Sequence, residues 1–356
     1  MIHLFIILAL LINGLCSSEN PGPFLPTDYN GPFSLTVKKT PSSYKGCDSA
    51  TKFIVGIISH PSEFYFRNFI RNNWGAPAYR TCRTTKLIFL MGNSDDFKID
   101  KQVEQEANRY SDILLLDYHE TYNLVARKVF GFFRYVNQNC PNVKCVLKGD
   151  SDTVINLSGM EKLCEIMPNE NHTITGYYGY DIPHRDVESK WYTPYFVYPF
   201  NKWPSLVSGF SYLLSGYGIV PRLLNTLRTK TAFFTSENTR RLWEDIFFTG
   251  IVRNLAGIPL VHNTGFHWGN NVDYWWHDGK RIILSLETRT SCTKLCTIEY
   301  AWNLVKANRR ENNFPISREC NLRSLREAPT FRNFTGSSIR KATGRKRRPN
   351  WTRHVA

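Results

Sequence analysis

The sequence predicts an α/β protein built on a doubly wound, mainly parallel sheet with helices packed against it. Three observations lead there. Short continuous apolar runs recur at 53–58, 87–91, 113–116 and up to Leu147, as strands covered on both faces require. Stretches of helical periodicity separate them, the alternation expected of parallel strands joined by crossover helices. An acidic cluster, Lys148-Gly149-Asp150-Ser151-Asp152, follows the last run directly, where the strand gives way to a loop. In open α/β sheets the carboxyl ends of strands are where ligands collect.

Taken in order, residues 1–18 open on an apolar run, Leu4 to Ile12, followed by Cys16-Ser17-Ser18. That run is shorter than the ~20 residues a bilayer span needs. It reads as a signal leader, either cleaved at the small residues or retained as a short signal-anchor that attaches the chain to a membrane. Residues 19–51, rich in Pro, Gly and Ser, read as a stem or linker, with order beginning at Lys52. The first helix is expected over Glu63–Trp74 with Ser62 as N-cap. Phe66, Phe69, Ile70 and Trp74 lie on one of its sides. A polar helix through Glu104 and Glu106 follows the second strand. Leu124, Val125, Val129, Phe132, Phe133 and Val136 place another over Asn123–Val136. Val207–Ser215 reads as a later strand with a close backbone approach at Gly209. The catalytic domain is expected over 52–325, and 326–356 form a basic tail containing Arg345-Lys346-Arg347-Arg348.

A hydrophobic share of 42% and an aromatic share of 14% exclude a disordered chain. The net charge of +15 lies partly in that tail, and no nucleic-acid module pattern accompanies it. A surface that attracts anionic nucleotide sugars or membrane lipids accounts for the charge instead. Removing Cys16 with the leader leaves eight of the nine cysteines, an even number compatible with disulfides of unspecified pairing. Asn156, Asn171, Asn333 and Asn350 stand in glycosylation sequences, consistent with a secretory lumen. Asn156 is so near the acidic cluster that a structural role is expected for it.

Asp150 and Asp152 can turn toward one point beyond the strand end. Mg²⁺ or Mn²⁺ is typically held by one or two carboxylates together with substrate phosphates, so the pair suits a metal–diphosphate site. The same residues also suit an ordinary polar turn. Glu244-Asp245 opens an otherwise apolar helix, where the helix dipole alone would favour acids. The aromatic, proline-studded stretch from Trp191 to Trp203 fits either stacking on sugar faces or core filling.

Together these segments resemble the β-1,3-galactosyltransferase-type enzymes of glycosyltransferase family 31, over roughly residues 52–290. Arg67 to Gly75 resembles R-x-x-I-R-x-T-W, and Phe89-Leu90-Met91-Gly92 resembles F-L-x-G. Glu106, Tyr110 and Asp112-Ile113 are similar to E-x-x-x-Y-x-D-I. Thr121-Tyr122-Asn123-Leu124 with Lys128 is similar to T-Y-x-N-L-x-x-K. Lys148 to Asp152 resembles K-x-D-D-D with Ser151 replacing the middle acid. Ser208–Ser215 resembles S-G-x-x-Y-x-x-S, and Glu244-Asp245-Ile246 with Gly250 resembles E-D-V-x-x-G.

The resemblance implies a GT-A-type nucleotide-sugar transferase fold, a UDP-sugar donor, a glycan acceptor on protein or lipid, Mn²⁺ or Mg²⁺, and residence in the Golgi apparatus. It implies inverting transfer of galactose or N-acetylglucosamine, with Asp245 as general base beside Glu244. Asp150 and Asp152 would hold the metal. Arg71, Trp74 and Lys148 fall on the donor side, with Lys148 equally able to pair with an aspartate. Family members carry a metal-site His some forty residues after the E-D motif. Here that region reads Ile282 to Glu287 without one, which leaves His267, His262 or Glu287 as substitutes, His267 being preferred. The missing His keeps open a secreted lectin-like relative without turnover. Asp150 with Asp245 keeps open a glycoside hydrolase, which needs neither metal nor nucleotide.

Overall fold

The computed structural model describes residues 24, 25, 28, 33–42, 46–79, 84–268, 273–288 and 297–312. The leader, the basic tail, Cys82, Cys292, Cys296, Cys320, Asn333 and Asn350 lie outside them.

The main sheet has eight strands in the order β1-β4-β3-β2-β5-β8-β7-β9. These are β1 (Thr36–Lys39), β2 (Phe53–Ile58), β3 (Thr85–Asn93), β4 (Ile113–His119), β5 (Cys145–Asp150), β7 (Thr173–Tyr178), β8 (Val207–Ser215) and β9 (Leu260–His262). β4, β3, β2 and β5 run parallel, while β8 is antiparallel to both β5 and β7. The mainly parallel sheet expected from the apolar runs is therefore present.

Side-chain alternation divides the core. On β2, Phe53, Val55 and Ile57 face α1 (Phe64–Asn72) and α2 (Phe97–Tyr110), whose Ile70, Val103 and Ala107 join the same cluster. Ile54 faces the other way, with Val129, Phe132 and Phe133 of α3 (Val125–Asn139). A Cβ on Gly56 would stand 2.5 Å from the Phe132 ring, so only glycine lets that ring lie on the strand. Burying a phenylalanine this fully stabilises by about 1.5–3 kcal/mol.

Two expectations are corrected. The segment 19–51 is more than a linker: β1 pairs antiparallel with β4, and Leu35 is buried against α3. Composition concealed this, because one short edge strand among prolines carries little pattern. The N-cap position of the first helix is Glu63, not Ser62, and its side chain bonds no N–H of the helix; the carboxylate instead takes the preceding His60 N–H at 2.7 Å, while Ser62 bonds the His60 ring.

Among the described residues, disulfides join Cys47 to Cys140 and Cys145 to Cys164. The first ties the N-terminal segment to the end of α3. The second ties the start of β5 to α4 (Leu157–Ile166). Asn156 is fully buried; its amide donates to the Ile283 carbonyl and accepts the Gly159 N–H, capping α4 as the structural role required. No described helix is long and apolar enough to cross a membrane.

A second, three-stranded sheet orders β10 (Phe266–Trp268), β13 (Ser285–Glu287) and β6 (Thr153–Ile155). β6 begins one residue after Asp152, so this sheet abuts the acidic loop.

Candidate active site

β5 carries Lys148 on its buried face and ends at Asp150. β8 sets Tyr212 directly opposite Lys148. Cross-strand partners share a face, so their side chains meet. The Lys148 ammonium, 2% exposed, lies 2.8 Å from Asp150 Oδ1 and 2.6 Å from Glu244 Oε1, and also donates to the Gly209 carbonyl. Tyr212 Oη donates to Glu244 Oε2 at 3.0 Å. Lys148 therefore joins the acids of two distant sequence motifs. Of its two readings, the ion pair is realised.

Glu244 and Asp245 stand where the chain enters the π-helical segment Ile246–Val252. π-Helical turns occur mostly as local features of helices and often at functional sites. Asp245 caps the segment, accepting the Ile246 N–H at 2.8 Å and the Gly209 N–H at 3.1 Å. A Cβ on Gly209 would lie 3.0 Å from Glu244 Oε1 and 3.3 Å from Asp245 Oδ2. The close approach expected at Gly209 is thus what admits the acid pair. Glu244 is buried, whereas Asp245 is partly exposed and able to meet a substrate.

Burial pushes the Glu244 carboxyl up to about 7, with Lys148 opposing and Asp245 adding to the rise. Burial likewise raises Asp245 above the usual carboxylate range, against its two backbone N–H bonds and Lys148. Asp150 is raised by burial despite Lys148. Burial would lower Lys148, but Asp150 and Glu244 hold its ammonium above the ordinary value.

Asp152 is raised furthest of the loop acids, by burial and then by the charges of Asp150, Glu287 and Glu63. Its carbonyl accepts from the N–H and hydroxyl of Thr288, which fixes the loop to the end of β13. Glu287 pairs with Thr153 across the β13–β6 ladder, so strand register brings it beside Asp152. His267 does not arrive there. It pairs with Leu286, which pairs with Val154, and those two belong to the apolar core. Strands are spaced about 4.8 Å apart, so His267 stands two spacings, roughly 10 Å, from β6. Of the three substitutes, Glu287 is the one whose charge acts on Asp152.

Arg71 and Trp74 are also corrected. Arg71 Nε and Nη2 bond Asp112 at 2.7 and 2.8 Å, and Nη1 bonds Glu106 at 2.5 Å. Arg67 completes this buried cluster on Glu106. The Arg71 guanidinium, between the rings of Phe89 and Tyr110, is committed to joining α1, α2 and the start of β4. Trp74 is 1% exposed within the apolar core. The motif that contains both is architectural.

Glu63 was not anticipated. Its carboxylate accepts the Ser151 hydroxyl at 2.7 Å, together with Ser59 Oγ and the His60 N–H. Nothing in the spacing of a lone acid after His60-Pro61-Ser62 marks it.

The carboxylate oxygens of Asp150 and Asp152 suit a hard divalent cation, and the raised Asp152 marks a local excess of negative charge that such an ion would relieve. Among the described residues, no three acidic, imidazole or thiol side chains converge to enclose an ion by themselves.

A helix-flanked, mainly parallel sheet with paired acids beyond a strand end, joined through Lys148 to a second acid pair, is the candidate site. The family model described as "Galactosyltransferase" matches residues 66–264, and the chain belongs to that family. Over 226 residues it is 31% identical to "Beta-1,3-galactosyltransferase 1" of Mus musculus and of Homo sapiens, covering 62% of this chain and 66% of those proteins. It is 30% identical over 203 residues to "UDP-GalNAc:beta-1,3-N-acetylgalactosaminyltransferase 1" of Homo sapiens, covering 55% of this chain and 59% of that one. Among solved structures, the galactosyltransferase LgtC in complex with donor and acceptor sugar analogs aligns at 8% identity and a TM-score of 0.38, over 73% of this chain and 96% of its own.

Proposed function

We propose that the protein transfers a hexose, galactose or N-acetylglucosamine, from a UDP-sugar to a hydroxyl of a glycan acceptor, with inversion and formation of a β-1,3 linkage. Family membership and the names of the relatives support the transferase part of this reading, and work in protein or lipid glycosylation in the Golgi lumen is proposed with it. The observation that carries it is the bridge made by Lys148. One ammonium holds Asp150, on the donor side, and Glu244, next to the base, in fixed relation.

Asp245 accepts the proton of the acceptor hydroxyl as its oxygen attacks the anomeric carbon. The bond from that carbon to the diphosphate breaks, and UDP departs with the electron pair. A positioned base of this kind contributes about 10²–10⁴-fold. Its raised proton affinity matches it to work nearer neutral pH. Glu244 stays inside, keeping Lys148 and Tyr212 in place. Asp150 and Asp152 would hold a Mn²⁺ or Mg²⁺ ion that supplies positive charge to the diphosphate.

The test is a screen of UDP-sugars with Mn²⁺, reading UDP release and glycan product in wild type and Asp245→Asn. Cation-dependent transfer that collapses in the variant supports the reading. Equal rates in both, or hydrolysis of a glycan without nucleotide or metal, sinks it.

A further inference from the structure

The two cations expected to meet the diphosphate are committed elsewhere: Arg71 to its buried acids, and Lys148 to Asp150 and Glu244. A third cation stands at the same site. The stretch 181–203 is held in a fixed shape, because Arg185 donates to the carbonyls of Thr193, Tyr198 and Phe200, and the Trp203 N–H donates to the Asp181 carbonyl at 2.7 Å. It is also fastened to the acid pair, since Trp243, immediately before Glu244, donates its indole N–H to the Trp191 carbonyl at 3.1 Å.

Lys190 lies on this stretch and is exposed. Its ammonium sits 4.2 Å from the Trp191 ring centre and 5.8 Å from that of Tyr122. The Tyr122 ring contacts Trp243 at 5.5 Å. The Tyr122 phenol, pushed up to about 12 by burial and then by Asp245 and Asp150, lies within the field of both acid pairs. Partial burial lowers the Lys190 ammonium, and the Glu287 carboxylate, neighbour of Asp152, opposes that fall. One exposed ammonium thus rests on the rings of Trp191 and Tyr122, within the field of Glu287 and on the stretch bonded to Trp243 beside the acid pair.

We propose that Lys190 is the side chain that grips the outer oxygens of the nucleotide diphosphate and steadies the charge that builds there as the sugar departs. This inference rests on the donor reading given above. Ring contacts hold an exposed lysine only weakly, so the ammonium exchanges them readily for phosphate oxygens. A lysine presents three donors on a long stem and contacts phosphate as a compact charge. Fixed positive charge at a site of developing negative charge is a large contributor to catalysis. No new bond is made or broken; the ammonium remains protonated throughout.

The experiment compares wild type, Lys190→Ala and Lys190→Arg by calorimetric titration with UDP and with uridine, both in Mn²⁺. Loss of one charge-assisted contact predicts UDP binding weakened about ten- to a hundredfold in Lys190→Ala. Uridine affinity and Tm stay at the wild-type level, and Lys190→Arg recovers most of the loss. A smaller dependence of UDP affinity on salt accompanies the alanine variant. Lys190→Ala that binds UDP as tightly as wild type overturns this inference alone, as does an equal loss for UDP and uridine. Wild type that binds no UDP in Mn²⁺ overturns the donor reading, and this inference with it.

Discussion

The acid pair should leave a readable mark on stability, and Glu244→Gln isolates it. In the folded protein Glu244 titrates at about 7, against 4.5 for an ordinary glutamate, chiefly because it is buried. The folded state therefore binds this proton more tightly than the unfolded state does. Its contribution to stability is full below pH 4.5 and is lost as the pH rises through 7. A gap of that size corresponds to about 3 kcal/mol at 1.36 kcal/mol per pH unit. Gln fills the same space, can still accept from Tyr212, and does not titrate. Asp150, Asp152 and Asp245 titrate in both proteins and drop out of the difference to first order. Relative to wild type, the variant should gain about 3 kcal/mol between pH 4.5 and 8.5. For a domain of this size that is roughly 5–10 °C in Tm. Thermal unfolding of both proteins across that range measures it. A gap between the two that stays constant with pH would mean that Glu244 is not held in the interior as an unwilling carboxylate.

Arg71→Met should destabilise by about 3–5 kcal/mol, because Asp112 and part of Glu106 lose a buried partner; denaturant titration reads it, and UDP affinity of the protein that remains folded should be unchanged. Asp152→Asn should abolish Mn²⁺-dependent UDP binding in calorimetry, whereas His267→Ala should retain it, and Glu287→Gln should weaken it several-fold. Gly209→Ala should cut transfer at least tenfold, because the new methyl presses on Glu244 Oε1 and Asp245 Oδ2; its Tm should fall only modestly, and the cut should appear in kcat more than in donor KM.

The parts of the fold legible in the sequence are those with an unbroken local signal. β2 and the centre of β3, Leu87 to Met91, are apolar because both faces are covered, and α3 is strongly periodic because only one of its sides is solvated. Gly209 was readable for a related reason: a glycine amid strand residues points to something pressing on the backbone, here the acid pair. Arg71 was misread because a guanidinium in a motif looks the same whether its carboxylate partners are bound phosphates or Glu106 and Asp112, more than thirty residues away. The sequence offered Glu287 and His267 together but could not choose between them. Both lie far along the chain from Asp152, and the β10-β13-β6 register sets Glu287 on the strand next to β6 and His267 one strand further out.

Ser151 shows how the departure from the family pattern is absorbed. An aspartate there would set a second carboxylate at hydrogen-bond distance from Glu63, where the Ser151 hydroxyl now donates at 2.7 Å. Two like charges about 3 Å apart repel by several kcal/mol even at the effective dielectric of a protein surface. Glu63 cannot easily yield, because it also ties the turn before α1 together through the His60 N–H and the Ser59 hydroxyl. The serine lets Glu63 keep that duty while its charge still reaches Asp150 and Asp152. The loop therefore keeps a neighbouring acid, supplied by α1 and not by the loop itself. Lys148 is shared between Asp150 and Glu244, and Lys128 is paired with Glu120. Asp152, whose proton affinity is raised by burial and by Asp150, Glu287 and Glu63, is the acid that a bound cation would relieve most, which is why cation-dependent UDP affinity is the measurement on which the site assignment turns.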